Sequence, residues 1–421
     1  MFIASDTYKP ALSDIKKART LVNQVALHTP ISYHKTIEAK YKAKIGFKRE
    51  DLQVVRSYKL RGAYHKIASL SKQELAKGVV CASAGNHAQG VAYACQQLKT
   101  QGHIFMPIST PKQKVTQVRL FGGKFVHIQL IGNTFDDSLA MAKAYSKAQN
   151  ACFIHPFDDP QVIEGQATVG LEILEDCTEP IDYLILPIGG GGLAAGVSTV
   201  FKALSPNTQI IGVEPQGAPS MSAALAKGSP CSLKLIDKFI DGAAVKQVGN
   251  YTFNICKETI DEMLVVSEGL ICKTMLELYN EEGIIVEPAG ALSISALHLL
   301  QDKIEGKNVV CLISGGNNDV SRMEEIQERA LLYEELKHYF IVNFPQQKGA
   351  LREFISTVLG PQDDIVYFQY IKKNNRATGP AMVGIEIRNR TDLPPLIHRM
   401  KSQNFFGQYL NQHPDLFHFL V

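Results

Sequence analysis

The sequence has no long apolar run, no marked charge imbalance and no closely paired cysteines. No stretch of its 421 residues approaches the roughly 20 uninterrupted apolar residues that a membrane helix needs, so no membrane association is expected. Lys and Arg total 44 against 41 Asp and Glu, a net charge of +3, which gives no indication of nucleic-acid binding. The start, MFIASDTYKP, lacks the basic and apolar regions of a secretory signal.

The eight cysteines are scattered along the chain, and no two of them form a C-x-x-C pair. Most lie inside apolar runs such as GVVCAS and NVVCLIS, where cysteine behaves as a small core residue. This pattern predicts a reduced, cytoplasmic protein with neither disulfides nor a zinc site.

Between residues 78 and 316 short apolar runs alternate with amphipathic stretches. Eight such runs, bounded by Gly and Pro, are typical of buried strands, and helical patterns lie between most of them. Strand–helix alternation predicts an α/β fold with parallel sheets. Gly-rich turns at the carboxyl ends of the strands suggest two lobes with ligand-binding loops facing a cleft.

After about Ser321 the pattern changes. Residues 321–337 are predicted to form a charged, helical connector, and the pattern of residues 338–421 follows the order βαββαβ, which predicts a ferredoxin-like domain. This tail is either a structural appendage or a regulatory amino-acid-binding module of the ACT kind.

Lys59 lies in the segment VRSYKLRGAY, between Arg56 and Arg61. Neighbouring cations and partial burial both lower a lysine pKa from its free value of about 10.4, which would free the amine as a nucleophile. A lysine at the start of a basic helix is otherwise an ordinary solvated charge, so this segment alone does not establish a site.

Two further turns follow predicted strands. The turn SAGNHAQG (83–90) leads into a helix, so its free backbone N–H groups suit a carboxylate, and the Asn86 side chain could meet a phenolic oxygen. The turn SGGNN places Ser314 where its hydroxyl could hydrogen-bond a pyridine nitrogen. Ordinary capped turns are the alternative in both places.

A run of glycines follows the predicted strand YLILPI. The run comprises Gly189, Gly190, Gly191 and Gly192, and Leu193 comes next. Consecutive N–H groups at a helix start form a concave anion site, which predicts phosphate binding. The stretch also fits a loose dinucleotide pattern, G-x-G-x-x-A, with Glu214 closing the next strand, so a nicotinamide-dependent oxidoreductase is a second hypothesis. That hypothesis leaves Lys59 and the turn at 83–90 unexplained.

Together these motifs offer one contact for each polar group of pyridoxal phosphate. SYKLRGAY, SAGNHAQG, GGGGLAAG, EPAGA and SGGNND stand in the order and spacing of the fold-type-II pyridoxal-phosphate enzymes, and the sequence resembles the threonine dehydratases over about residues 5–320. The resemblance implies a catalytic domain over residues 1–320, similar to the tryptophan synthase β subunit. It would have two parallel-sheet lobes, the smaller at roughly 50–150, and the tail would be an ACT-like regulatory domain.

The resemblance also implies a role for each motif. Lys59 would bind the cofactor covalently and, once released, act as the base at the substrate Cα. Asn86 would contact the ring hydroxyl, Ser314 would meet the ring nitrogen, and the glycine run with Leu193 would hold the phosphate. The substrate carboxylate would be bound by the backbone donors of one turn and its serine hydroxyl: Ser83, Ala84, Gly85, Asn86 and His87.

The implied reaction converts L-threonine to 2-oxobutanoate and ammonia, the first step of isoleucine biosynthesis. Isoleucine would bind the C-terminal domain as an effector, and the family resemblance implies a homotetramer. Besides the nicotinamide-dependent oxidoreductase, the sequence leaves three alternatives open: an L-serine dehydratase, a β-replacement enzyme of the same fold, and a non-catalytic amino-acid sensor.

Similar serine racemases suggest two further expectations. A second serine serves them as an acid/base where this chain has Ala84, so we expect negligible racemisation. They also bind a divalent ion near an E-P-x-x-A-x-D pattern, whereas here Ser220 replaces the Asp, so no metal is expected; a cation near Glu214 or Glu287 stays an open question.

The turn at 132–136 is the candidate wall for the substrate methyl group.

Overall fold

The computed structural model describes residues 8–370 and 378–413. Residues 1–7, on which much of the secretory-signal prediction rests, lie outside this range. The chain divides into two compact units, Met1–Asp319 and Val320–Val421, and each has a hydrophobic core of its own.

Fourteen strands are present within the described residues. They are β1 (Ile31–Tyr33), β2 (Lys44–Arg49), β3 (Val79–Ala82), β4 (Gly102–Met106), β5 (Val126–Leu130), β6 (Cys152–Phe153), β7 (Tyr183–Pro187), β8 (Gln209–Pro215), β9 (Glu262–Val266), β10 (Asn308–Ile313), β11 (Lys337–Pro345), β12 (Asp364–Tyr370), β13 (Thr378–Glu386) and β14 (Phe406–Tyr409).

The same part of the chain contains seventeen α-helices and several short 3-10 turns. The helices are α1 (Leu12–Val22), α2 (Lys35–Tyr41), α3 (Lys59–Ala68), α4 (Lys72–Ala76), α5 (Asn86–Leu98), α6 (Lys112–Gly122), α7 (Phe135–Gln149), α8 (Pro160–Asp176), α9 (Gly192–Leu204), α10 (Ser220–Lys227), α11 (Asn250–Thr259), α12 (Glu268–Glu282), α13 (Pro288–Ser295), α14 (Leu297–Ile304), α15 (Met323–Tyr333), α16 (Ala350–Thr357) and α17 (Leu393–Ser402).

The larger lobe of the first unit is built on a six-stranded sheet in the order β1-β2-β10-β7-β8-β9. All neighbours are parallel except β1, which pairs antiparallel with β2. Every residue of β10 is buried because helices cover both faces of the sheet, which explains its uninterrupted apolar run.

The smaller lobe contains a four-stranded parallel sheet in the order β5-β4-β3-β6. Its core joins β3 and β4 to helices α3 and α5, and it is separate from the core of the larger lobe. The carboxyl ends of parallel strands lie at the same edge of a sheet, and ligands usually bind at that edge. The turn that follows β3 lies there.

The second unit has the order β11-α16-β12-β13-α17-β14, with an antiparallel sheet arranged β12-β13-β11-β14. This is the ferredoxin-like arrangement, and the fold class predicted from the sequence is confirmed. Phe340, Phe354 and Phe405 are fully buried in its core. Residues 371–377 and 414–421, which belong to the predicted tail domain, lie outside the described range.

All eight apolar runs recognised between residues 78 and 316 form strands, β3 to β10. Two further strands in the described part of this unit, β1 and β2, precede residue 78 and were not predicted. β2 lies inside the large sheet, between β1 and β10, yet its sequence KIGFKR carries three basic residues and a glycine. The fully buried Lys48 is held there by an ion pair to Glu172, a tertiary contact that no local pattern reveals.

Candidate active site

Lys59 is the first residue of α3, and its side chain is half-buried at the boundary between the two lobes. Its ammonium group donates a hydrogen bond to the Pro156 carbonyl (2.8 Å) and lies 5.2 Å from the centre of the Tyr58 ring. Loss of solvent lowers the pKa of Lys59 to about 8, against an opposing effect of Glu287. A larger share of this amine is therefore neutral near pH 7 than for a solvated lysine.

The prediction that the flanking arginines help to lower the pKa of Lys59 was wrong. The guanidinium of Arg61 is paired with the carboxylates of Glu50 and Glu172, so its charge is compensated. Arg56 is exposed. Burial lowers the pKa of Lys59, as the larger of its resolved causes.

The segment before Lys59 is hydrogen-bonded through its backbone to the turn that follows β10. Tyr58 donates its backbone N–H to the Ser314 carbonyl (3.2 Å), and Gly316 donates to the Arg56 carbonyl (2.9 Å). Ser57 forms an isolated bridge with Gly315. These contacts hold the first lysine motif against the last serine-glycine motif, although more than 250 residues separate them in the sequence.

Asn86, at the start of α5, completes this corner of the site. Its amide nitrogen donates to the Glu287 carboxylate (2.6 Å), and its oxygen accepts from the Asn317 amide (2.7 Å). The Asn317 amide also lies 2.9 Å from the Val55 carbonyl. This series of hydrogen bonds determines which end of the Asn86 amide is the donor. One N–H therefore remains for a ligand oxygen.

Glu287 is a functional-site residue that sequence reasoning did not assign. The side chain is only 5% exposed, and burial raises the pKa of its carboxyl to about 7. A Cβ on Gly315 would come within 2.5 Å of its carboxylate, so that glycine is required for the close approach. The signal was available in EPAGA, where a Glu precedes a proline at the first position of an entirely buried helix, α13.

The predicted carboxylate turn lies between β3 and α5. The Ser83 hydroxyl accepts a hydrogen bond from Gly85 N–H (3.2 Å), while the first N–H groups of α5 have no partner within the helix. The His87 ring bonds the Ile154 carbonyl (3.0 Å), and burial lowers the pKa of His87 to about 3. The neutral His87 ring therefore contributes through its backbone and its packing.

The glycine loop admits no side chains. A Cβ on Gly190 would lie 2.2 Å from the Phe157 ring, and one on Gly189 would lie 2.9 Å from Ala243. Gly191 has φ +91°, which a residue with a side chain rarely adopts. Phe157 adjoins Pro156, the residue that accepts from Lys59, so the lysine and the loop are joined through one short segment.

The carbonyls of the loop determine the direction of its N–H groups. The Gly190 carbonyl accepts from the Thr252 hydroxyl (2.7 Å), and the Gly191 carbonyl accepts from Ala195 N–H (2.8 Å) inside α9. Because C=O and N–H point in opposite directions across a trans peptide, the N–H groups of Gly191 and Gly192 face outward at the start of α9. Such an array at a helix N-terminus suits a phosphate.

Ser314 is buried at the end of β10, and its hydroxyl donates to the Ala289 carbonyl (3.1 Å). To donate to a ring nitrogen the hydroxyl must rotate away from that carbonyl, which exchanges one hydrogen bond for another. The group is neutral, so it supplies no charge that would hold a ring nitrogen protonated.

Glu214 does not support the dinucleotide interpretation of the glycine loop. Its carboxylate is fully buried and accepts hydrogen bonds from the backbone of Met221 (2.6 Å) and Ser222 (2.8 Å) and from the Ser222 hydroxyl (2.7 Å). It thus caps the start of α10. Within residues 8–370 and 378–413, no cluster of three or more His, Cys, Asp or Glu side chains is arranged to hold a metal ion.

The structure brings the four sequence motifs together around one cleft. The Lys59 amine, whose pKa is lowered, suits the aldehyde of pyridoxal phosphate. The glycine loop, with its outward N–H groups, suits the phosphate, and the oriented Asn86 amide suits the ring hydroxyl. The fold and the site define the class as the fold-type-II pyridoxal-phosphate enzymes. The model for pyridoxal-phosphate-dependent enzymes matches residues 22–315, and the model for the C-terminal regulatory domain of threonine dehydratase matches residues 328–420.

Curated relatives match over nearly the whole chain. The biosynthetic L-threonine dehydratase of Bacillus subtilis is 53% identical, over 97% of this chain and 96% of its own. The corresponding protein of Halalkalibacterium halodurans is 50% identical, over 98% of this chain and 100% of its own. The chain belongs to the family of biosynthetic threonine dehydratases.

Solved structures agree with this assignment. The processed form of threonine deaminase isoform 2 from Solanum lycopersicum has a TM-score of 0.72 and 41% identity, covering 76% of this chain and 95% of that one. Maize serine racemase has a TM-score of 0.71 and 30% identity, covering 77% and 99%.

The predicted resemblance to threonine dehydratases and the predicted cofactor are confirmed: this chain depends on pyridoxal phosphate. The nicotinamide hypothesis is therefore set aside. Among the described residues, no helix is both long and apolar enough to span a bilayer.

Proposed function

We propose that the first unit dehydrates and deaminates L-threonine to 2-oxobutanoate and ammonia at the Lys59 cleft, as the first step of isoleucine biosynthesis. The observation that carries the proposal is the position of the Lys59 amine, hydrogen-bonded to Pro156 and joined through Phe157 to the glycine loop. The near full-length match to biosynthetic threonine dehydratases supports the same reaction.

The cofactor would be held at four points. The aldehyde carbon would join Lys59, Asn86 would donate to the ring hydroxyl, and Ser314 would face the ring nitrogen. The phosphate would rest on the loop formed by Gly189, Gly190, Gly191, Gly192 and Leu193. When bound, pyridoxal phosphate supplies the electron sink for the carbanion that forms at the substrate Cα.

Lys59 is the group that moves the proton. A lysine whose pKa lies at about 8 exchanges its proton readily near neutral pH, so the free Lys59 amine would accept the substrate Cα proton. The Pro156 carbonyl holds this amine in place by accepting its hydrogen bond.

The turn from Ser83 to His87 orients the substrate. The free N–H groups at the start of α5 would bind the substrate carboxylate, and the positive end of the helix dipole favours that charge. This turn belongs to the smaller lobe, whereas the glycine loop belongs to the larger one. The substrate would therefore be held between the lobes.

The reaction balances without an oxidant. Threonine loses its Cα proton and its β-hydroxyl as water, and a water molecule is taken up again as ammonia leaves. The net change is one L-threonine to one 2-oxobutanoate and one ammonia.

The test compares two lysines of the same helix. The purified protein should be yellow and should form 2-oxobutanoate from L-threonine, and Lys59→Ala should lose both properties. Lys66→Ala, which removes an ion pair with Asp159 at the other end of α3, should keep both. A colourless wild-type protein, or a Lys59→Ala variant that retains its turnover, would contradict the proposal. Product analysis with L-serine and with thiol nucleophiles would detect the serine dehydratase and β-replacement alternatives.

We further propose that isoleucine binds the second unit and lowers activity. The ferredoxin-like fold of that unit and its match to the regulatory domain of threonine dehydratase support this proposal. A chain ending near residue 330 should retain activity that isoleucine no longer changes, and inhibition that persists in it would argue against the proposal. A homotetramer and a cytoplasmic location are proposed on family grounds, with the tetramer to be checked by sedimentation.

A further inference from the structure

Arg61 lies in the first turn of α3, two residues after Lys59, and is fully buried. It makes paired hydrogen bonds with two carboxylates. Its Nε and Nη2 donate to Glu50 (both 2.8 Å), and its Nη1 and Nη2 donate to Glu172 (2.6 and 2.8 Å). Its fifth N–H, on Nη1, donates to the Thr168 hydroxyl (3.2 Å), and Nη2 also lies 3.2 Å from the Leu27 carbonyl.

The two carboxylates are held by further buried groups. Lys48, on β2, lies 2.8 Å from Glu172 and donates to the Thr29 carbonyl. The Thr29 hydroxyl donates to Glu50 (2.6 Å). Burying such a network is costly, and the same volume filled with apolar side chains is often equally stable. Stability alone therefore does not account for a guanidinium at this position.

The network crosses between the two lobes. The apolar side of α3, with Leu60 and Tyr64, belongs to the core of the smaller lobe. The two carboxylate partners of Arg61 belong to the larger lobe. Glu172 lies on α8, and Glu50 directly follows β2 of the large sheet. Arg61 therefore ties a helix of the smaller lobe to the framework of the larger lobe.

A glycine contact supports the tie at the same place. A Cβ on Gly165 of α8 would lie 2.7 Å from both the Arg61 carbonyl and the Gly62 Cα. The backbones of α3 and α8 are therefore in direct contact at Gly165, with no room for a side chain between them. On the other side of Lys59, Tyr58 is bonded to Ser314 of the larger lobe.

From these contacts we propose that Arg61 is a positioning residue, which fixes α3, and with it the Lys59 amine, to the larger lobe that carries the glycine loop and Ser314. The inference rests on the proposed function of Lys59.

Two variants of the full-length holoenzyme test it. Arg61→Lys keeps the charge but loses the planar fork that binds two carboxylates. Arg61→Met combined with Glu50→Gln removes one charge of each sign, so Lys48 still pairs with Glu172. In both we expect kcat for L-threonine to fall roughly 10- to 100-fold, the loss typical of a reacting group misplaced by about 1 Å, while KM changes less than about twofold.

Two readouts do not depend on turnover. The pH midpoint of the cofactor absorbance band should move in both variants. Amide hydrogen exchange in the peptide covering 57–62 should quicken by about tenfold or more, while the peptide covering 83–90 keeps its wild-type rate. The matched control is Arg19→Met. It removes the two hydrogen bonds that Arg19 donates to Glu175, which lies on α8 as Glu172 does. It should leave the band, the kcat and the exchange of 57–62 unchanged.

The outcomes separate the two proposals. A wild-type protein without a cofactor band would overturn the proposed function of Lys59 itself. A normal wild-type band, with wild-type midpoint, kcat and exchange in either folded variant, would overturn the positioning role alone. If neither variant folds, Arg61 acts in stability and the positioning role is likewise overturned.

Discussion

Replacing Gly190 by alanine should damage the phosphate site through one identifiable contact. The Cβ of alanine would lie 2.2 to 2.5 Å from three atoms of the Phe157 ring. Real Cβ atoms do not approach so closely, so either the ring or the loop must move. The backbone of Gly190 does not have a positive φ, so the steric contact and not backbone strain is the cause.

The size of the effect follows from overpacking. Forcing one extra methyl group into a close-packed region typically costs about 1–3 kcal/mol. If the loop yields, this free energy is lost from phosphate binding, and the dissociation constant of pyridoxal phosphate should rise roughly 5- to 150-fold. If the ring yields, the Pro156 carbonyl that holds Lys59 moves with it, and kcat falls as well.

The assay is a double-mutant cycle. Cofactor affinity is measured by titrating apoprotein, for the wild type, Gly190→Ala, Phe157→Ala and the double variant. Phe157→Ala removes the clashing ring, so the double variant should bind better than the two single losses predict. Gly306→Ala is the control, because its Cβ would meet no atom within 4 Å and only its positive φ of 73° is strained. It should leave cofactor affinity unchanged.

Additive losses in the cycle would refute this reasoning. Phe157 would then not be the group that the new methyl meets. Wild-type affinity in Gly190→Ala would refute it more strongly, since the closed glycine loop would have no part in binding the phosphate.

Three further predictions concern titration and substrate chemistry. Reloading of apoprotein with pyridoxal phosphate should speed up as the pH rises through about 8, because only the neutral Lys59 amine reacts; stopped-flow absorbance would show this, and a pH-independent rate would contradict it. The folded pKa of Glu287 lies at about 7, above its usual 4.5, so its contribution to stability is full below about pH 4.5 and is lost as the pH rises through 7. Glu287→Gln should therefore gain thermal stability relative to the wild type over that range, and a constant difference in Tm would count against a raised pKa. Ala84→Ser should confer measurable racemisation of L-serine, detected by chiral chromatography, whereas the wild type should show little; equal racemisation in both proteins would disprove a role for the position.

Local patterns revealed the chemistry-bearing turns because each follows a buried strand of low polarity. The helix predicted to follow the small residues at the end of β3 is present as α5, which begins at Asn86. The glycine loop was likewise recognisable, because consecutive glycines are rare except where the backbone approaches a ligand closely.

The environment of these residues was not predictable from the sequence. Glu287 and Asn317 are hydrogen-bonded to Asn86, although more than 200 residues separate each of them from it in the sequence. Only the tertiary structure shows which end of the Asn86 amide donates and which accepts. The missed strand β2 and the misattributed pKa of Lys59 have a common origin. Both depend on the buried network of Arg61, in which charged residues occupy positions that a sequence pattern assigns to solvent.

The most direct test of the account is mass spectrometry of the holoprotein after borohydride reduction and proteolysis. We predict one reduced pyridoxal-phosphate adduct, on the Nζ of Lys59. An adduct on another lysine, or an unmodified peptide containing Lys59 in fully yellow protein, would contradict the central claim.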